Sequence, residues 1–299
     1  PPPPPPPPPL FFYTHKPAYE KLRSLVGSEM CIRDRGTLMI PLKSQCDPLG
    51  YFTVSLSLII FIQLDLLMAD LLTAMSHIAR SAGEVILEIY REDDLGLEFK
   101  ADRSPLTRAD LAANTIIVEG LRQLASEIPI ISEESLMVDH TTRRQWDEYF
   151  LVDPMDGTKE FINRNGEFTV NIALVRDGCP VLGVVYIPVQ DVMYAGTQVK
   201  TPKAFVSRKG QVKEIKTRPL KSDKSLTVVT SRRHGKESDS DLFATLARYF
   251  DPIETQTIGS SIKFCLVASG NADLYPRLAP TSEWDTACLL YTSPSPRDS

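Results

Sequence analysis

Residues 150–161 read Phe-Leu-Val-Asp-Pro-Met-Asp-Gly-Thr-Lys-Glu-Phe. An apolar run, Phe150 to Val152, ends in two aspartates, Asp153 and Asp156, with proline, glycine and threonine where a turn takes its shape. A buried strand that ends this way can aim both carboxylates into one small volume, and Gly157 lets the backbone approach a ligand closely. Carboxylates that close repel each other unless a cation lies between them. Hard oxygen donors of this kind suit Mg²⁺, which keeps several waters and takes the rest of its shell from substrate phosphate. The alternative for the same segment is an Asp-Pro turn with a solvated second aspartate, since Asp, Pro and Gly are common turn residues.

Working outward, Ile128-Pro129-Ile130-Ile131 is a second short apolar run, closed by Ser132-Glu133-Glu134, and Trp284-Asp285-Thr286-Ala287 opens a predicted helix. Glu133, Asp153, Asp156 and Asp285 therefore stand at the ends of apolar elements. Apolar positions from Leu71 to Ile89 recur at helical spacing and predict a helix over Asp70–Arg91 with Asp70 as its cap. A second helix is expected over Asp110–Glu127, with Asp110 read as an N-cap. Strands are expected at 128–132 and 148–153. A hairpin of Thr169–Val175 and Val181–Ile187 turns at Asp177-Gly178, and Asp191–Ala195 and Ala204–Val206 extend the same sheet. A second unit begins near Ser225: strand Leu226–Thr230, helix Asp239–Tyr249, strand Thr255–Ile258, helix Ser260–Ala268 and strand Asp273–Tyr275. Helices and strands alternate without internal repeats, an α/β (α+β) pattern.

With 299 residues, 42% hydrophobic and 24% charged, the chain can bury a substantial core in one large or two smaller domains. A net charge of −5 argues against a general nucleic-acid binder. Five cysteines lack metal-ligand spacing, which suggests reduced thiols and a cytoplasmic protein. Pro1 to Pro9 cannot build a core. Residues 25–35 and 289–298 read as translated sequencing-adapter material. Leu56 to Leu64 is apolar but, with Gln63 and Asp65, barely long enough for a membrane span, and no signal-cleavage site is clear. Integral membrane insertion is not expected; peripheral association with the inner face of the cell membrane stays open. The expected organisation is a non-native or disordered extension (1–67), an N-terminal α+β metal-binding half (68–222), an incomplete C-terminal α/β substrate half (223–287) and a non-native tail (288–299).

Asp153-Pro154-Met155-Asp156-Gly157-Thr158, the Glu133-Glu134 pair and Trp284-Asp285 resemble the signatures of the lithium-sensitive, magnesium-dependent phosphatases that include inositol monophosphatase. Within that superfamily, residues 100–107, 159–162, 165–174 and 258–268 are most similar to the CysQ-type 3′(2′),5′-bisphosphate nucleotidases, and the likeness runs from about Met68 to Ala287. It implies a layered α-β-α-β-α sandwich with the metals where two halves meet, here C-terminally truncated. It also implies that Glu133, Asp153 and the Met155 carbonyl hold one Mg²⁺ and that Asp153, Asp156 and Asp285 hold another, two or three ions in all. Asp110 and Thr158 fill the positions of the pair that activates the attacking water, and Lys100 would support the metal waters, although an exposed lysine beside a loop is the ordinary alternative. Expected substrate contacts are Glu133, Met155, Asp156, Gly157, Thr158 and Asp285 on the metal side. On the nucleotide side they are His234, with Ser231 before it, Ser260, Lys263 and Arg277. Two serines and a lysine at a helix start make a sound anion site. The implied reaction converts adenosine 3′,5′-bisphosphate to AMP and phosphate, with the sulfated nucleotide as a second substrate and a link to sulfur assimilation. The alternatives are an inositol monophosphatase-type polyol phosphatase and an inactive nucleotide-binding chain. Replacement of the sequence after Ala287 leads to the expectation that the chain as written is unstable or weakly active. Oligomeric state is not legible.

Overall fold

Apolar residues in the strands after residue 128 run almost without polar interruption, which requires a sheet covered on both faces. The structure, a computed structural model, describes residues 56–136, 138–198, 202–220, 225–232, 240–277 and 281–289, all within a unit that begins at Thr53. Its helices are α1 (Leu56–Tyr90), α2 (Arg108–Leu124), α3 (His140–Arg143), α4 (Thr158–Ile162), α5 (Ser240–Leu246) and α6 (Ile262–Ala268). Its strands are β1 (Glu98–Phe99), β2 (Pro105–Leu106), β3 (Ile130–Ser132), β4 (Glu148–Asp156), β5 (Thr169–Arg176), β6 (Cys179–Ile187), β7 (Val192–Thr197), β8 (Lys203–Arg208), β9 (Gln211–Ile215), β10 (Leu226–Thr230) and β11 (Ile253–Thr257).

Strands β3 to β9 form one sheet in sequence order; β3 runs parallel to β4 and every later pair is antiparallel. Successive residues alternate between two cores, as the pleat demands. Phe150, Val152, Ile172, Leu174, Leu182 and Val184 pack under α1 and α2 with Met75, Ala79, Ile117 and Leu121. Leu151, Ala173, Val175, Val185 and Ile187 face the other way, against Ile262, Cys265 and Ala268 of α6 and the 3₁₀ turn Ala287–Leu289. Strands β10 and β11 pair in parallel as a separate small sheet with its own core of Leu226, Val228 and Leu246. The two halves expected on either side of residue 222 thus carry separate sheets.

Several expectations need correction. Helix α1 starts at Leu56 rather than Asp70, because no proline or glycine interrupts residues 56–69; Asp70 is an exposed interior position and caps nothing. Residues 56–67, within the expected non-native or disordered extension, are helical rather than disordered. The cap of α2 is Thr107, which accepts from Ala109 N while its own backbone N–H is held by Asp110; Asp110 is the third helical residue of a capping box. Trp284 opens a turn that passes into 3₁₀ geometry. Cys288 and Leu289, assigned to the tail, are buried, and the close approach needs Gly183, where a Cβ would lie 2.3 Å from the Cys288 carbonyl oxygen. The rest of both terminal segments lies outside the described residues. No described helix is long and apolar enough to cross a membrane.

Helix α4 is short and is held from below: Tyr90, Phe161 and Phe168 form an aromatic cluster with ring centroids 5.1–5.2 Å apart. Arg164 stacks on Tyr90 and donates to the carbonyls of Tyr90 and Glu92 at the end of α1. Phe161→Ala should cost about 3–5 kcal/mol, the range for emptying a fully buried phenylalanine site, read as a fall in the urea midpoint at constant m-value.

Candidate active site

In a regular strand, residues three apart point to opposite faces, so Asp153 and Asp156 should diverge. They do not, because β4 carries a bulge. Asp153 pairs with Asn171 and Asp156 with Thr169, so three steps on β4 match two on β5 and Pro154 and Met155 fall outside the ladder. Proline has no N–H to give a ladder, which suits it to this position. Asp156 returns to the face of Asp153, and Met155 N donates to Asp153 Oδ1 at 3.1 Å. Asp285 comes to the same place from the turn before the 3₁₀ segment, where Thr281 Oγ1 and Ser282 N each donate to its Oδ2 at 3.0 Å. One carboxylate oxygen from each of Asp153, Asp156 and Asp285 lies within 4.8 Å of the others.

Glu133 follows β3 on the parallel neighbour, its N–H bonded to the Val152 carbonyl at 3.1 Å. Its Oε1 accepts from Lys100 Nζ at 2.9 Å, and Glu134 Oε1 accepts from the same ammonium at 2.5 Å. Lys100 sits in the turn between β1 and β2. Thr158 opens α4 directly after Gly157, whose φ of 100° places it in the left-handed region; a Cβ there would also crowd the Glu167 carbonyl at 3.0 Å. Thr158 Oγ1 donates to Asp110 Oδ1 at 3.1 Å, while Asp110 Oδ2 accepts from Thr107 N and Oγ1 at 2.7 and 2.6 Å. Capping and contact with Thr158 thus use different oxygens of Asp110, and it does both.

Electrostatics set this region apart. Burial raises the Asp153 carboxyl well above the ordinary range, and Glu133, Asp156, Asp285 and Asp110 all push it further the same way. Burial and then Asp156 push Asp285 up to about 6, against the two hydrogen bonds it accepts. Burial raises Glu133, with Lys100 opposing and Glu134 and Asp156 reinforcing. Burial also raises Asp110, against its bonds from Thr107 and Thr158. Lys100 is itself disfavoured by burial, yet Glu134 and Glu133 outweigh that and push it up to about 12. One ammonium cannot neutralise two glutamates and the aspartates behind them.

The nucleotide-side residues are placed less uniformly. Ser231 lies half-buried just past β10. Lys263 is buried, with Nζ donating to the Ser260 carbonyl at 2.5 Å and lying 5.3 Å over the Tyr275 ring. Arg277 lies beside Tyr275 and Lys263. His234 falls outside the described residues. The serine that reaches the aspartates is Ser261, not Ser260: its hydroxyl donates to Asp156 Oδ2 at 2.5 Å. Glu167 ties the loops together, accepting from Arg232 Nε at 3.0 Å and Nη2 at 2.5 Å and from Gly259 N at 2.6 Å. Sequence reasoning did not single out Glu167, took Ser261 only as part of an anion site at the helix start, and took Thr107 only as part of the entry to α2, although Thr107-x-x-Asp110 is legible as a capping box.

The profile of the inositol monophosphatase family matches residues 67–290. The chain belongs to this family. Within it, the chain is 45% identical over 218 residues to the 3′(2′),5′-bisphosphate nucleotidase CysQ of Escherichia coli strain K12, covering 73% of this chain and 84% of that protein. It is 47% identical over 219 residues to the CysQ of Salmonella typhimurium strain LT2, again covering 73% and 84%. The crystal structure of CysQ from Bacteroides thetaiotaomicron, described as a bacterial member of the inositol monophosphatase family, superposes with a TM-score of 0.64 at 39% identity over 75% of this chain and 85% of that one. The suhB protein of Bartonella henselae, at 22% identity and a TM-score of 0.62, shares the inositol monophosphatase fold.

The donor set fits a hard divalent cation: clustered carboxylate oxygens, wholly or partly buried and mutually repelling, beside the bulged backbone of β4. The sign of the pH effect follows. Raised carboxyl pKa values mean that the folded protein binds more protons than the unfolded one above about pH 4. The contribution of Asp285 to metal-free stability therefore falls as pH rises from there through about 6. Mg²⁺ should raise the melting temperature more at pH 7.5 than at pH 5, where protons compete for the same oxygens. Asp153→Asn should raise the metal-free melting temperature at neutral pH and abolish the Mg²⁺-induced rise.

Proposed function

We propose that this chain is a magnesium-dependent 3′(2′),5′-bisphosphate nucleotidase that hydrolyses adenosine 3′,5′-bisphosphate to AMP and phosphate. What carries the reading is the Asp153–Asp156–Asp285 cluster, buried at Asp153 and half-buried at the other two, with the Thr158–Asp110 pair, in a chain 45% identical to a curated nucleotidase. Glu133, Asp153 and the Met155 carbonyl would hold one ion, and Asp153, Asp156 and Asp285 a second, with two or three ions in all. Bound there, Mg²⁺ would lower the pKa of the attacking water and stabilise the leaving oxygen.

The chain's own groups supply the rest. Thr158 Oγ1 accepts the proton of the attacking water as it passes its own to Asp110 Oδ1. Asp110 is fitted to this because Thr107 already holds its other oxygen, which fixes the carboxylate plane. Water oxygen bonds to phosphorus, the bond from phosphorus to the 3′ oxygen breaks, and that oxygen takes a proton to give AMP. Amides of Gly157 and Thr158 donate to the phosphate oxygens, and Lys100 holds Glu133 in place. Glu133, Met155, Asp156 and Asp285 would meet the substrate phosphate at the metal-binding side of the site. Ser260, Lys263, Arg277 and His234 read the second phosphate and the adenosine. By the same reading the sulfated nucleotide is a second substrate and the enzyme acts in sulfur assimilation in the cytoplasm.

Phosphate release from adenosine 3′,5′-bisphosphate should depend on Mg²⁺ and exceed release from inositol 1-phosphate assayed alongside; the reverse preference would overturn the substrate assignment. Thr158→Ala should lower kcat by about 10²–10⁴-fold, the usual worth of a positioned proton acceptor, without weakening Mg²⁺ binding measured by calorimetry.

A further inference from the structure

Behind Asp156 runs a short chain of buried polar side chains that the reaction itself does not use. Asn171 is fully buried on β5, directly opposite Asp153 in the register. Its Nδ2 donates to Ser261 Oγ at 3.0 Å, and Ser261 Oγ donates to Asp156 Oδ2 at 2.5 Å. Ser261 is 2% exposed, so water does not compete for these contacts. A serine hydroxyl has one proton and two lone pairs. Once Asn171 occupies a lone pair, the proton is committed to Asp156. With the amide turned the other way, one proton would face two acceptors, so donor counting fixes the orientation. Asn171 Oδ1 and the Oγ1 of Thr169, which pairs with Asp156, are buried without a protein partner. An orphan amide oxygen and an orphan hydroxyl beside a carboxylate cluster are costly for stability. Asn171 is therefore hard to explain as a simple strut for the sheet, where an apolar residue of similar size would leave nothing unpaired.

We propose that Asn171 and Ser261 are positioning residues for Asp156, fixing which carboxylate oxygen stays turned toward the cation. Oδ2 is held by Ser261, and Oδ1 is left for the metal. The inference rests on the metal-site reading above and adds to it a support that no ligand motif contains. It also explains why Ser261 stands at the start of α6 with its hydroxyl turned to the sheet rather than toward a substrate anion.

The test is calorimetric titration of metal-free protein with Mg²⁺, with melting temperature measured in parallel. Ser261→Ala should weaken Mg²⁺ binding by about 10–100-fold, the range for removing a hydrogen-bond partner of a metal ligand, with nucleotide KM little changed at saturating Mg²⁺. Ser261→Thr, which keeps the hydroxyl, should recover most of the affinity. Asn171→Ala should also weaken binding, and the double variant should be no worse than Ser261→Ala alone, because Asn171 acts through Ser261. Wild-type affinity in a folded Ser261→Ala variant would overturn the proposal, as would additive losses in the double variant. A lower melting temperature with unchanged affinity would overturn it too, leaving a purely structural role. If wild-type protein binds no Mg²⁺, the metal reading fails and this inference with it. If it binds and only Asp153→Asn loses the ion, the metal reading stands and the positioning proposal fails.

Discussion

Mutual repulsion among buried carboxylates is the constraint to which the rest of this protein answers. Two unit charges about 4 Å apart interact by roughly 4 kcal/mol at an effective dielectric near 20, and a domain of ordinary stability has only about 5–15 kcal/mol to lose. Asp153, Asp156 and Asp285 meet in one place with Glu133 close by, so the fold must hold them there against a force that would separate them. It does so by bringing them from strands and a turn whose apolar neighbours are locked into two different cores.

Those two cores divide the work of building the site. The α1/α2 side supplies Thr107 and Asp110 at a helix start and, through Tyr90 and Arg164, steadies the short helix that begins with Thr158. The α6 side supplies Ser261 and, through the 3₁₀ segment packed on Gly183, the turn that carries Asp285. Between them Glu167 clasps Arg232 and Gly259, joining the small sheet's loops to the segment before β5. The Thr158–Asp110 pair and the aspartate cluster are therefore supported from opposite faces of one sheet.

The large strands were legible because burial on both faces leaves nearly continuous apolar runs, and Glu133, Asp153 and Asp156 because they follow such runs, while Asp285 was legible only beside Trp284. Strand β9 escaped notice for the opposite reason: Gln211-Val212-Lys213-Glu214 lies exposed at a sheet edge, where composition resembles a loop. The start of α1 was misplaced because an aspartate in an uninterrupted helical stretch looks like a cap when nothing ends the helix before it. At α2 two good capping residues, Thr107 and Asp110, stand three apart, and only the geometry separates the cap from its partner. Ser260 and Ser261 are adjacent and chemically identical. What distinguishes them is a left-handed backbone at Ser260, φ 47°, that turns its neighbour inward, a tertiary choice that composition does not encode.

The bulge in β4 has a meaning beyond aiming side chains. A plain Asp-x-Asp in a regular strand would already put two carboxylates on one face, with no irregularity at all. The added residue instead takes Pro154 and Met155 out of the ladder, so that a main-chain oxygen need not be spent on a neighbouring strand. Such a donor carries no charge. Beside clustered carboxylates, a neutral oxygen adds a polar group without adding to the repulsion, and no side-chain substitution can remove it.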